Sequence, residues 1–506
     1  MLILALSAAF GMLSSPSFQS SPTQSSSSTT LTSTSTSHSQ SFSTSSTYSS
    51  TRLTSTSTST TSSSLANDWL TYHNDNARDG YTTSLASVTS LSVSWKSLVD
   101  GPVYAEPLFF DGSVYVATEN DTVYALSATS GAIQWSQHLG TPANSTIPPF
   151  ACTFSNMTFG PNIEPTIGIT GAPAIDPVSG TIFVAAMING SGYQLFALNV
   201  NTGQQRWVLP LAPAGFDYTV EEQRGALALA NGLVYVPFGG FSEGCGSPSL
   251  RGWVIAYSTN GNGPQYDYAV PSTAEGDIWA PAGVSVDSSG FVYVVTGDST
   301  QGNSSLPPDF GDAVIKLSPD LKTVVSYFYP TNWAYLNKND LDLGSTGAAL
   351  LPGNLVFSIG KEGVGYLLNG SDLGGISGQL FSAGVCTSGY PGAWGGTAFA
   401  QGIIYIPCGS GLLALAIHAG PPPRFTSLWN DTGYFAGPPI VAAGAVWTFD
   451  IYNGTLFALN PANGALITKI SLGSVGFVEH FTTPSAGGGL LLFTANETIY
   501  ALNPSA

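Results

Sequence analysis

Charge is what this chain of 506 residues has least of: 8% of its residues are Asp, Glu, Lys or Arg, and only 12 are Lys or Arg. The formal net charge is −18 and no basic stripe could neutralise phosphates, which excludes a nucleic-acid partner. So sparse a surface loses most of its net charge as Asp and Glu protonate near about pH 4, a composition that agrees with a low-pH habitat. Cysteine is scarce as well. None of the four forms a CxxC pair and there is no CxxCH haem motif. The five His (His38, His73, His138, His418, His480) do not cluster, which argues against zinc. Four cysteines allow three pairings, and the expected one joins Cys152 to Cys245 and Cys386 to Cys408 in an oxidising compartment. The first thirteen residues, MLILALSAAFGML, are too short to span a bilayer. They resemble the core of a secretory leader without the usual preceding Lys or Arg, since Arg52 is the first basic residue; either the leader is atypical or its start lies upstream.

What is abundant is small and polar. Residues 14–64 are almost entirely Ser and Thr, with no apolar surface to offset the entropy of ordering, so they are expected to stay extended as an O-glycosylated stalk or a passive linker. The expected location is extracellular or at the cell surface, with tethering to a membrane or envelope through the N-terminus. Nine Asn-x-Ser/Thr acceptor sequences follow, at Asn120, Asn144, Asn156, Asn189, Asn303, Asn369, Asn430, Asn453 and Asn496. Asn is also a natural residue of hairpin turns, and Asn120, Asn453 and Asn496 fall at such points.

From residue 65 onward the chain repeats itself. GSVYVATENDTVYALSATSGAIQW, Gly112 to Trp135, reads as two alternating strands, Ser113 to Ala117 and Thr122 to Leu126, joined by a turn at Glu119 to Asp121. A second turn ends in Gly131, and a third strand closes on Trp135. Copies recur at 180–207, 231–258, 290–320, 353–375, 401–417, 444–464 and 488–503, most preceded by a strand of small residues such as GAPAID. One unit cannot bury its own apolar face, so the period predicts an all-β, eight-bladed β-propeller of four-stranded blades over 65–506. The last copy has no fourth strand. LSVSWKSLV, Leu91 to Val99, supplies one, with Trp95 matching Trp135 and Trp207; pairing the two termini in one blade removes exposed edges. Residues 65–91 are expected to drape outside the ring.

The segment WLTYHNDNARDGYTTSLASVTSLSVSWK, Trp69 to Lys96, and the recurring AL..TSG...W turn resemble the pyrroloquinoline quinone (PQQ) dehydrogenases, the quinoproteins. The resemblance spans about Asn67 to Ser505 and implies a docking girdle in which each Trp packs on the next blade and its indole N–H finds a carbonyl. It also implies a site where units depart from the repeat. FSEGCGSPSLRGWVIAY is similar to the stretch whose Glu binds calcium, placing Glu243 on that metal. GDIWAPAGVSVDSSGFVYVVTGD puts Trp279 under the cofactor and Asp298 as a second metal ligand, where the family has Asn. In PTNWAYLNKNDLDLGSTGA, Asp340 and Asp342 are both candidates for the catalytic carboxylate that takes an alcohol proton. In GKEGVGYLL, Lys361 matches the cation that bonds the quinone oxygen. Other features depart from the family. Cys152 is followed by Thr153 instead of a second Cys, and NMTFGPN lacks the family's Arg.

Three readings follow. The chain is a PQQ- and calcium-dependent dehydrogenase for an alcohol or sugar, a cell-surface propeller binding glycan or protein, or a structural envelope component carried on its Ser/Thr stalk.

Overall fold

A computed structural model describes residues 67–504, except 151, 155–156, 160–162, 242–249, 387–391 and 473–481; for 152–154 and 157–159 it describes the backbone alone. The apolar leader, the Ser/Thr tract, Glu243 and the expected Cys152–Cys245 pair lie outside these residues. Cys386 and Cys408 form a disulfide, as their expected pairing has it.

The first repeat folds as its alternation dictates. Ser113–Ala117 and Thr122–Ser127 pair antiparallel, with Tyr115 opposite Ala125 and Val116 opposite Tyr124. Asp121 closes the turn at φ +54°, a left-handed conformation that Asp tolerates better than most residues. Leu108–Phe110 pairs on the inner side and Ile133–His138 on the outer. The two middle strands are buried on both faces, whereas the outer strand alternates exposed and half-buried. A lone blade would therefore leave two apolar faces in water.

Seven further sheets repeat this order. They occupy 174–210, 228–269, 285–329, 349–384, 398–432, 440–471 and 485–503. Inner strands of neighbouring blades touch from the second blade to the seventh, and that of the eighth touches that of the first, closing a ring. Ser92–Leu98 is the outer strand of the eighth blade, paired antiparallel with Thr498–Asn503. The third and fourth blades each gain a two-residue strand, Glu221–Glu222 and Gly375–Ile376.

The girdle implied by the repeats is present at four junctions. Glycines at 131, 203, 261 and 464 lie at positive φ, and a Cβ on each would come within 2.5 to 2.7 Å of Trp95, Trp135, Trp207 and Trp429 respectively. Each indole thus seats flat on a backbone that only Gly leaves bare. The indole N–H of Trp95 donates to Ala128 O at 2.7 Å, that of Trp135 to Val200 O at 3.1 Å, and that of Trp429 to Pro461 O at 2.9 Å.

In such a ring the turns joining second to third strands and the connections between blades emerge on one face, here called the mouth. The other two turns of each blade emerge on the opposite face.

Residues 67–81 do not drape outside the ring; they plug its centre. The backbone of this segment bonds in order to the inner strands: Gly488 N donates to Asn67 O, Trp69 exchanges two bonds with Phe109, and Ile175 N donates to Leu70 O. Asn76 Nδ2 donates to Leu229 O. Val286, Leu350, Phe399 and Val441 then donate to the carbonyls of Asn76, Ala77, Asp79 and Gly80, so that all eight blades are contacted. The expected exterior position fails because the channel offers eight inner strand edges, and the segment's backbone satisfies them. Arg78, 2% exposed, donates to Val284 O, Leu227 O, Tyr72 O, Asp75 O and Thr71 Oγ1 at 2.8 to 3.3 Å. Tyr72 rises from the plug among Ala172, Ala226 and Ala282 toward the mouth.

Arg78→Ala strands several buried carbonyls and is expected to lower unfolding free energy by about 3 kcal/mol or more in chemical denaturation, with Arg78→Lys recovering less than half, because a lysine cannot reproduce the fork.

Candidate functional site

Every site residue expected from the sequence that the structure describes lies on mouth-face connections. Trp279 sits between blades three and four, Asp298 in the turn of blade four, Asp340 and Asp342 between blades four and five, and Lys361 in the turn of blade five. The structure brings these five together.

Lys361 is at the centre, its side chain 7% exposed and ion-paired with both Asp340 and Asp342. The two acids differ sharply. Asp342 is buried, its side chain 1% exposed, and its Oδ1 accepts the Asp298 amide at 2.6 Å. A Cβ at Gly297 would come within 2.5 Å of that same Oδ1, so the strand end must be Gly for the carboxylate to fit. Burial opposes its ionisation, but the Lys361 ammonium and the Asp298 amide overcome this and hold Asp342 below the ordinary carboxylate range. Asp340, its side chain 57% exposed, takes φ +51° at the rim. Desolvation raises its pKa, against the pull of Lys361. Lys361 itself is raised, because the two carboxylates outweigh its own desolvation.

Beside this triad, the ammonium lies 5.4 Å from the ring of Trp279 and 5.0 Å from that of Trp394. The two indoles meet at 5.7 Å with an interplanar angle of 54°. On the far side of the triad, Asp312 is fully buried and accepts the Leu343 amide at 2.7 Å.

Several site residues escaped the sequence reading. Trp394 occupies in PGAWGGTAFA the kind of slot that Trp279 has in GDIWAPAGVSV, between one blade and the next inner strand, and that parallel could have found it. The run Glu221-Glu222-Gln223-Arg224 is buried throughout, and three charges in four residues of so uncharged a chain were a usable signal. Arg224 lies 5.0 Å from the Trp279 ring and 3.7 Å from Glu222. Glu119 and Asp121 read as turn residues, yet both are buried, Glu119 accepting the Gly168 amide at 2.7 Å.

A hard cation fits this set. Asp298, Asp340 and Asp342 each offer an oxygen, all within 4.8 Å of one another, and Asp342 Oδ2 is paired with the Lys361 ammonium. Three carboxylates against one ammonium leave two formal negative charges. A flat quinone fits less directly. Trp279 is 7% exposed beneath Arg224, Lys361 and Trp394, so a planar ligand could lie on it only after one of these swings away. The cations are then the groups that its carboxylates and carbonyls would meet.

The ring, its closing strand and its Trp–Gly girdle make the chain an eight-bladed β-propeller, a fold similar to that of the quinoprotein dehydrogenases. The family model described as outer membrane protein assembly factor BamB matches residues 84–301. Outer membrane protein assembly factor BamB of Yersinia pestis is 28% identical over 115 residues, which are 23% of this chain and only 22% of that protein. Among solved structures, a quinohemoprotein alcohol dehydrogenase from Pseudomonas putida HK5 aligns at a TM-score of 0.64 and 13% identity, covering 87% of this chain and 80% of that one. A europium-containing methanol dehydrogenase aligns at 0.66 and 14%, covering 87% and 98%. BamB of Moraxella catarrhalis aligns at 0.52 and 13%, covering 82% and 98%. At these identities the structural likeness is one of fold. No helix among the described residues is long and apolar enough to cross a membrane.

The mouth is lined with buried acids whose protonation links stability to pH. Burial pushes Glu119 up to about 8, Asp121 up to about 9 with Glu119 and Asp100 adding, and Glu221 up to about 10 with Asp277 adding. These groups hold protons in the fold that the unfolded chain releases above about pH 4. The stability they support is whole below that point and is lost progressively as pH rises from there through the folded values of about 8 to 10. The thermal midpoint is therefore expected to be higher at pH 4 than at pH 8, as calorimetry at both values would measure.

Proposed function

We propose that the protein is a quinone- and metal-dependent dehydrogenase acting on a small alcohol or sugar at the mouth. The observation that carries this reading is the meeting of Trp279, Asp298, Asp340, Asp342 and Lys361, which come from four separate connections and coincide with the quinoprotein motif positions. A relic with no ligand would have little reason to keep Asp342 and Lys361 charged in so dry a place beside two further carboxylates, since buried charge is costly.

In this reading Asp298 and Asp342 hold the cation, calcium being the expected one, with Glu243 as a further ligand and Asp340 left free of it at the rim. The neighbouring europium-containing enzyme makes a trivalent ion the natural second candidate. When bound, a quinone accepts hydride and the cation draws electron density from its carbonyl. The chain's own residues then divide the work. Asp342, held in its ionised form by Lys361 and the Asp298 amide, anchors the cation and is the weaker base of the two acids. Asp340, at the rim and with a raised pKa, is the general base that takes the hydroxyl proton on its carboxylate. Lys361 keeps both acids oriented and would donate a hydrogen bond to a quinone oxygen. Trp279 supplies the flat apolar floor, and Arg224 meets ligand carboxylate.

Trp279 being covered favours a second reading, a non-catalytic propeller whose mouth binds glycan or protein. The sequence match to an outer-membrane assembly factor agrees with it. Reconstitution separates the two. With PQQ and calcium, the dehydrogenase reading expects the quinone absorbance to travel with the protein and dye to be reduced with some member of an alcohol and sugar panel. No uptake of quinone in calcium or in a lanthanide overturns it and leaves the binding reading.

Asp340→Asn is expected to cut kcat by about 10²- to 10⁴-fold while quinone stays bound. Asp342→Asn is expected to lose the cation, read as metal content after dialysis.

A further inference from the structure

Asparagine is common in turns, so nine acceptor sequences alone say little; their distribution over the two faces says more. On the face opposite the mouth, Asn201, Asn231, Asn260, Asn262, Asn354 and Asn463 all stand in turns, and none has Ser or Thr two residues on. Asn503 has one but is followed by Pro504, which blocks the acceptor. That face keeps one usable acceptor, Asn369, and it is half-buried. Among the described residues, which do not include Asn156, the mouth has six exposed ones: Asn144, Asn189, Asn303, Asn430, Asn453 and Asn496. Asn144 lies in the connection leaving blade one, Asn189 in the turn of blade two and Asn303 in the long loop of blade four. Asn430 stands near the mouth end of the outer strand of blade six, and Asn453 and Asn496 are in the turns of blades seven and eight. Turn chemistry favours Asn equally on both faces, so it does not account for hydroxyl residues placed after Asn almost solely at the mouth. Asn120, also on the mouth, is half-buried with its amide nitrogen donated to Asp100 at 2.9 Å, and is set aside.

We infer that the mouth face is N-glycosylated at these six positions while the opposite face is bare, and that the oligosaccharides form a fence admitting small solutes and barring macromolecules. Each linkage joins asparagine Nδ2 to the anomeric carbon of a lipid-linked oligosaccharide donor; the lipid phosphate leaves and the amide nitrogen gives up one proton. The described mouth turns without an acceptor are those of blades five and six, and the turn of blade five holds Lys361, so part of the sector around the candidate site is left clear of attached sugar. On the opposite face a glycan would crowd the turns whose glycines seat the girdle tryptophans. The inference does not depend on the dehydrogenase reading, and it bears on which partners can reach the mouth under either one.

The test uses the full chain purified from its native source. Glycopeptide mass spectrometry is expected to find oligosaccharide on most of the six mouth acceptors and none on Asn369; occupancy of fewer than half of the six, or comparable occupancy of Asn369, overturns the inference. The fence is tested by tryptic cleavage. Lys338, exposed on the mouth, and Lys322, exposed on the opposite face, are compared in the native protein and in a chain carrying Thr146→Ala, Ser191→Ala, Ser305→Ala, Thr432→Ala, Thr455→Ala and Thr498→Ala. Removing the acceptors is expected to speed cleavage at Lys338 at least tenfold with Lys322 unchanged, and equal rates at Lys338 overturn the fence. Faster cleavage at both sites would report a poorly folded variant, in which case protein deglycosylated after folding decides by the same ratio.

Discussion

The constraint on which the structure depends is that a four-stranded antiparallel blade has two unlike ends. Turns between second and third strands share an end with the links between blades, and the ring gathers all of these at one mouth. Residues far apart in sequence, such as Trp279 and Lys361, therefore meet without any one segment being shaped to hold them. The repeat can hold rigidly to its apolar pattern while its connections vary, because the pattern and the connections lie in different parts of each blade.

Electrostatics then sets the character of that mouth. Acids outnumber bases there, and most of the acids are dry. Where a lysine is at hand, as for Asp342, the carboxylate stays charged; where none is, as for Asp121, burial keeps it protonated. A chain with few cations thus has a centre divided into one ion-paired triad and a surrounding set of neutral acids. The division tells Asp340 from Asp342, two residues that sequence alone leaves equivalent.

Most of the ring was legible in the sequence. Strand alternation gave the template hairpin nearly to the residue, and Trp95 gave the closing strand, because both depend on local pattern and on a repeat that can be compared with itself. The five site residues were legible only through resemblance to quinoproteins. Residues 67–81 were misread because their partners are backbone groups of eight different blades, and backbone partners leave no mark on side-chain pattern. Glu119 and Asp121 were passed over for a related reason: in a turn, an acid looks the same whether it faces water or a closed interior.

The plug also sets an order of assembly. Residues 67–81 and the strand Ser92–Leu98 are made before any blade, yet the partners of the first are spread from Phe109 to Gly488 and the partner of the second ends at Asn503. Neither can be seated until the last blade has been synthesised. The earliest folded-body residues to emerge are thus the last to find their places, and until then the growing chain carries an open ring with unpaired edges at both ends.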